Sequence, residues 1–431
     1  MRDSTGPTVG NILKAGVPFI HNFGDSNTFL GSGAGNFTMT GFGNTAAGAA
    51  ALQSNTTGFQ NTASGSQALQ NNTTGNFNTA TGNRALVNNT TGENNTASGA
   101  SALFNNTTGN NNTASSSGAL ANNTTGSNNT ASGVNALRRN TDGSDNTAHG
   151  GNALQSNTTG FANTATGAAA LQSNTTGSNN TASGVSALFL NTIGSQNTAT
   201  GSSALQSNFI GNNNTASGSG ALFVNTGGSN NTASGSGALV SNRTGNFNTA
   251  TGVEALHSNT TGSNNTAIGS NADVWARDLT NATAVGAGAI VDASNKIRLG
   301  NEAVTVIEGL VGFTANSDRN RQENFLPVCG EEVLRKIRDL SLTSWNYVGQ
   351  ELTQFRHYGP AAQDFFDAFG NDSIGTIGTP STITSTDIEG ILMVAVQALA
   401  RRNEDQDEQI DSLKARLESL ERMVGGRVAG R

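Results

Sequence analysis

Apolar and polar residues along this chain follow neither a helical period of 3.6 nor a simple alternation. They follow a step of 17. Asn-Thr pairs recur at Asn27, Asn44, Asn61 and onward to Asn265, giving 15 copies without an insertion or deletion. The consensus is N-T-A-x-G-x-x-A-L-x-x-N-T-T-G-x-x, so each copy carries only two alanines and one leucine as regular apolar positions. A fixed step of this length is the signature of a stacked repeat architecture, in which one copy makes one coil. Gly, Asn and Thr are poor helix formers, and no helical stripe survives the pattern. The step therefore predicts a parallel β-solenoid. Strand stacking of about 4.8 Å per coil would make 15 coils a rod of roughly 70 Å. Two glycine columns, Gly31 to Gly269 (broken only by Ser116) and Gly41 to Gly262, are expected at the corners, with two short strand-like segments between them.

An exact step also places identical side chains above one another. Asn on Asn and Thr on Thr can form hydrogen-bonded ladders, whereas stacked charges repel. Accordingly, only eight Asp, Glu, Lys or Arg residues lie between Asn44 and Asn264. The leucine column comprises Leu52, Leu69, Leu86, Leu103, Leu120, Leu137, Leu154, Leu171, Leu188, Leu205, Leu222, Leu239 and Leu256. Three small apolar groups per coil are too few to fill a wide monomeric solenoid, so these leucines are expected to pack against their copies around a symmetry axis, which the resemblances given below make the axis of a homotrimer. Fifteen near-identical coils would then pair out of register easily, and a register-setting element at one end is expected to guard against that.

The pattern changes after residue 270, where 39 of the 51 charged residues are found. The expected layout is an attachment or flexible segment at 1–26, repeats at 27–272, an end repeat and neck strands at 273–315, and a mixed α/β domain at 316–431. In that last domain, Glu331–Leu340 and Gly359–Gly370 read as helices and Ser344–Val348 as a short strand. A long helix runs from Asp387 to about Val424. Ile410, Leu413, Leu417, Leu420 and Val424 are spaced 3, 4, 3, 4, a coiled-coil seam that extends back through Leu392, Val396 and Leu399. Asn403 and Gln406 occupy seam positions, where polar residues fix register and strand number.

Composition narrows the chemistry. Charged residues make up 12% of the chain and the net charge is −7, which leaves no basic footprint for nucleic acid. One cysteine, Cys329, rules out an internal disulfide framework, and four scattered histidines give no metal-ligand spacing, so no metal or cofactor is expected. No secretory signal and no apolar run of membrane-spanning length stand out, so no membrane insertion is expected. The chain should be made in a cytoplasm and leave it by lysis or on a particle. The many N-x-T triplets follow from the repeat itself. Asp142 and Asp145 share one solvent-facing turn and do not form a glycan-hydrolysing pair.

Two resemblances follow from these motifs. N-T-A-x-G-x-x-A, and the run Ala282-Thr-Ala-Val-Gly-Ala-Gly-Ala289, resemble the head repeats of YadA-like trimeric adhesins, which implies a left-handed parallel β-roll over about residues 27–300. The C-terminal region resembles the intramolecular chaperone of endosialidase, or peptidase S74, family. That likeness rests on Ser317-Asp318, Val333–Leu340, Trp345-Asn346-Tyr347, Arg356–Pro360 with Ala362–Phe365, and Asp387–Gly390. It implies a domain that brings three β-rich chains into register, with Trp345, His357 and Gln363 as structural residues. In many members it then cuts itself off at the serine.

Here Ser317 and Asp318 are the self-cleavage candidates, but Gln322 stands where the family carries a lysine base. An amide is no base and Arg319 and Arg321 stay protonated, so cleavage is expected to be lost or slowed, with Asp318 and His357 the remaining candidates. The fold expected is mostly β, a trimeric parallel β-solenoid of 17-residue repeats followed by a small α/β chaperone domain ending in a coiled-coil helix. The function expected is a structural and adhesive fibre of a phage or phage-like particle. Its partners would be a host-surface receptor or glycan and the particle's baseplate or tail. A bacterial surface adhesin is the alternative, and a solenoid binding ice or crystal surfaces is a third.

Overall fold

The computed structural model describes residues 5–7, 9–304, 307, 319–348, 351, 353, 356–371 and 376–428. The chain forms two compact units, Met1–Val304 and Thr305–Arg431.

The first unit is a parallel β-solenoid. Each coil contributes one three-residue strand, from β3 (Thr28–Leu30) to β17 (Thr266–Ile268), at the Thr-Ala-Ser/Thr of the repeat. Neighbouring strands pair parallel and in register, as in Thr62 on Thr79 and Ala63 on Ala80. Thr and Ser/Thr face solvent on either side of an alanine that is fully buried. The second strand expected in each coil does not form; that stretch is a run of turns. Its leucine adopts a left-handed backbone, as at Leu69 (φ +51°) and Leu137 (φ +51°). Such a conformation costs about 1–2 kcal/mol per residue. It is tolerated because it turns a whole leucine side chain into the coil, where burial contributes about 1.5–3 kcal/mol.

That burial corrects the expectation for the leucine column. All thirteen leucines from Leu52 to Leu256 are 0% exposed within a single chain. They fill the interior of their own coils and are not available to line an axis between chains. The missing core volume comes from asparagine. The first asparagine of each repeat and a second one eleven residues later are also 0% exposed from Asn44 to Asn265.

Both form ladders. The Nδ2 of Asn72 donates to Asn55 Oδ1 at 2.8 Å and to the Gly75 carbonyl at 2.9 Å. Asn61 Nδ2 reaches the same carbonyl at 2.9 Å, and the Asn61 backbone N–H donates to Asn44 Oδ1 at 3.0 Å. A buried amide so satisfied is a compatible core group, and aligned amides polarise one another.

The two glycine columns do different work. Gly65 (φ +139°) and its equivalents take a backbone conformation that side chains avoid. Gly75 is needed for space: a Cβ there would meet the next coil's Gly92 carbonyl and the side chains of Asn72 and Asn89 in one asparagine ladder.

Residues within the stretch expected as an attachment or flexible segment close the N-terminal end. β1 (Ile12–Lys14) and β2 (Val17–His21) form an antiparallel pair, and β2 then pairs antiparallel with β3. This covers what would otherwise be an open parallel edge. Beneath it Phe29 replaces the repeat's alanine, and His21 stacks on Phe37 at 4.4 Å. At the other end β17 pairs with β19 (Thr283–Val285) at the usual 17-residue step, but β19 pairs with β21 (Ile297–Leu299) at a step of 14. Alongside them β18 (Asp273–Val274) pairs with β20 (Ile290–Val291).

The second unit packs α1 (Gly330–Asp339) and α2 (Ala362–Phe369) on the start of α3 (Ser385–Val428). Val333, Phe365, Phe369 and Ala395 are its buried centre. Gly330 lets α1 begin against α3, since a Cβ there would lie 2.7 Å from the Ala398 Cβ. Between α1 and α2 runs a hairpin of β22 (Thr343–Trp345) and β23 (His357–Gly359).

Candidate assembly domain and self-cleavage segment

The functional candidates of the second unit fall into three places. The first is the hairpin, where pairing sets Trp345 opposite His357. Their rings stack at 4.7 Å, and Tyr347 packs edge-on to both, at 5.0 and 5.4 Å. Arg356 ties the hairpin across its strands by donating to the Ser344 carbonyl at 3.2 Å and to the Ser344 hydroxyl. Trp345 Nε1 and His357 Nε2 are buried, yet neither has a hydrogen-bond partner among the described residues. A buried donor or ring nitrogen without a partner is costly. Gln363 is exposed on α2 and makes no hydrogen bond among the described residues. It does not join the Trp345–His357 group.

The second place is the self-cleavage segment. Ser317 and Asp318 lie outside the described residues. The short 3-10 turn Arg319–Arg321 is described, with Arg319 over the Phe325 ring at 5.3 Å. Gln322, at the position of the lysine base, is exposed. No cluster of His, Cys, Asp or Glu suited to a metal ion occurs among the described residues.

The third place is α3. Its first half has two apolar faces. Ile388, Ile391, Val394 and Ala395 face the core with α1 and α2, and Arg402 pairs with Glu331 at 3.3 Å. An adjacent face, roughly 100° round the helix, carries Leu392, Val396 and Leu399, all exposed. The same seam runs through the polar Asn403 and Gln406 into Ile410, Leu413, Leu417, Leu420 and Val424, also exposed. Packing inside the chain therefore accounts for one face and leaves the entire 3,4-spaced seam open over about nine turns. No described helix is long and apolar enough to cross a membrane.

The family described as chaperone of endosialidase, peptidase S74, matches residues 317–372. The match starts at the self-cleavage candidate and takes in α1, the hairpin and α2; α3 lies beyond it. A comparison with curated proteins gives no match for the chain.

Proposed function

We propose that this chain is one subunit of a homotrimeric fibre whose C-terminal domain directs assembly. The observation that carries the reading is the open seam on α3, directly following a segment similar to the chaperone of endosialidase. A seam with a 3,4 repeat buries itself by pairing with copies of itself, and the polar Asn403 and Gln406 in it restrict the register. The unpartnered nitrogens of Trp345 and His357 are further groups that a neighbouring chain would satisfy.

The division of labour follows from the fold. The solenoid closes its own core, so it needs no neighbour to fold, and it is sparsely charged and hydrogen-bonded along its length. It supplies a stiff stalk, while α3 supplies oligomerisation. Such a fibre suits a structural and adhesive part on a phage or phage-like particle, made in a cytoplasm and carried out on the particle surface. Antibody raised against residues 27–272 should decorate fibres on particles released by the producing strain. Undecorated particles, with the protein found on the cell envelope, would favour the surface-adhesin alternative.

With Gln322 in place of the base, the chain stays whole after assembly. Intact mass should show one species near 43.7 kDa. A cut before Ser317 that disappears in Ser317→Ala would mean another group acts as base.

A second reading rests on the flat array of exposed Thr and Ser/Thr flanking each buried alanine. It requires thermal hysteresis of the purified protein, and its absence would discard surface binding to ice.

A further inference from the structure

The regular solenoid ends at a cleft that no part of the assembly account uses. Along the repeat, the column leading to Trp275 holds serines at Ser207, Ser241 and Ser258 and aliphatic residues at Leu190 and Val224, and from Ser54 to Ser258 it contains no aromatic residue. Trp275 is 76% exposed, the most exposed large apolar side chain described in the Met1–Val304 unit. Its backbone is fixed: it directly follows β18, and its N–H donates to the Val291 carbonyl at 2.7 Å. The coil above is the one shortened to 14 residues, with Ala293-Ser294-Asn295 standing where other coils carry the longer Asn-Thr-Thr-Gly corner. The shortened coil leaves a cleft of about 490 Å³ between the indole and β20 to Ala303. That lies inside the roughly 300–1,000 Å³ typical of small-ligand sites.

The lining combines one apolar platform with a balanced polar set. Trp275 and the half-exposed Ile290 give the apolar wall. Asp292 is paired with Lys296 at 2.8 Å, which holds its carboxyl below the usual carboxylate range. Arg298 Nε donates to the Gly300 carbonyl, leaving its outer nitrogens as donors, and Glu302 offers a carboxylate acceptor. Asn301 holds the wall through Ala287 O at 2.9 Å and the Ala303 N–H at 3.0 Å. Lys296, outside the lining, neutralises Asp292, and Arg298 balances Glu302 within it, so neither an anion nor a cation is selected. A single flat aromatic face beside fixed donors and acceptors fits a ring that is apolar on its face and hydroxylated at its rim.

We propose that the Trp275 cleft binds a neutral pyranose of a surface glycan. This rests on the adhesive reading above and gives it a site.

The test uses the full chain with methyl α- and β-pyranosides of glucose, galactose and N-acetylglucosamine, followed by saturation-transfer NMR and tryptophan fluorescence. At least one glycoside should bind. Trp275→Ala should weaken it at least tenfold and Glu302→Gln at least threefold, with the β-solenoid circular dichroism unchanged. No glycoside binding, undiminished binding by Trp275→Ala, or preferential binding of tetramethylammonium would overturn the proposal. So would shielding of Trp275 from acrylamide in the assembled, sugar-free protein, which would mean that a second copy covers the cleft. Cell attachment separates the two claims. Attachment undiminished in Trp275→Ala removes the cleft as the site and keeps adhesion. Failure of the unmodified fibre to attach to any cell, with glycoside binding intact, removes adhesion and keeps the cleft.

Discussion

Replacing one buried asparagine should cost more than replacing a typical apolar residue of the same size. Asn140 Nδ2 donates to Asn123 Oδ1 and to the Gly143 carbonyl, both at 2.8 Å, and its Oδ1 accepts from Asn157 Nδ2 at 2.8 Å. Asn140→Ala removes three hydrogen bonds at about 1 kcal/mol each and strands the Asn123 oxygen, which costs about 1–3 kcal/mol. The expected destabilisation is about 4–6 kcal/mol. Asn140→Asp keeps the shape but turns a carboxylate oxygen towards two acceptors, so its cost should be at least as large. Because each coil contacts only its neighbours, the damage should be local. Urea unfolding gives the magnitude, and hydrogen exchange should place the loss of protection in the coils between Asn123 and Asn157. The surface change Thr159→Ala serves as the control and should stay within about 0.5 kcal/mol. A loss below 1 kcal/mol for Asn140→Ala, level with that control, would refute the claim that the ladders are core.

Two further perturbations follow from backbone and charge. Ser116 occupies a glycine corner at φ +132°, so Ser116→Gly should stabilise that coil by about 1–2 kcal/mol, read as a higher urea midpoint; an unchanged or lower midpoint would show the corner to be unstrained. His21 is buried, its Nε2–H donates to the Ala34 carbonyl at 2.7 Å, and its Nδ1 has no partner among the described residues. Burial lowers its pKa below 6.5, with the Ala34 bond acting weakly in the opposite direction. The native state then binds fewer protons than the unfolded one, so the stabilisation is complete above about pH 6.5 and is lost as pH falls towards the lower folded value. Exchange over residues 17–35, corrected for intrinsic rates, should be faster at pH 5 than at pH 7.5, and His21→Phe should flatten the difference; equal protection at both pH values would discard the mechanism.

Much of the fold was legible because periodicity is a geometric statement. The 17-residue step alone gave the parallel stacking and the in-register Thr and Asn columns, and the 3,4 spacing from Leu392 to Val424 gave α3 and its seam. What misled was counting only apolar side chains as core. Asn55, Asn72 and their equivalents carry full hydrogen-bond complements, so they fill the coil and release the leucines from any role between chains. The left-handed leucines were hidden as well, because local propensity argues against that backbone and tertiary burial overrides it. The N-terminal hairpin has too few residues to show alternation. Trp275 was visible in principle: read down its column, it is the first aromatic after Ser54, and the coil above it is three residues short.

The proposed fibre divides its work between a rod that folds by itself and a helix that joins three chains. Sedimentation equilibrium on the full chain and on Leu413→Ser/Leu417→Ser tests both halves together. The full chain should sediment at about three times 43.7 kDa, and the variant at 43.7 kDa with undiminished β-solenoid circular dichroism. A monomeric full chain, or a variant that remains trimeric or loses its β-structure, would contradict it.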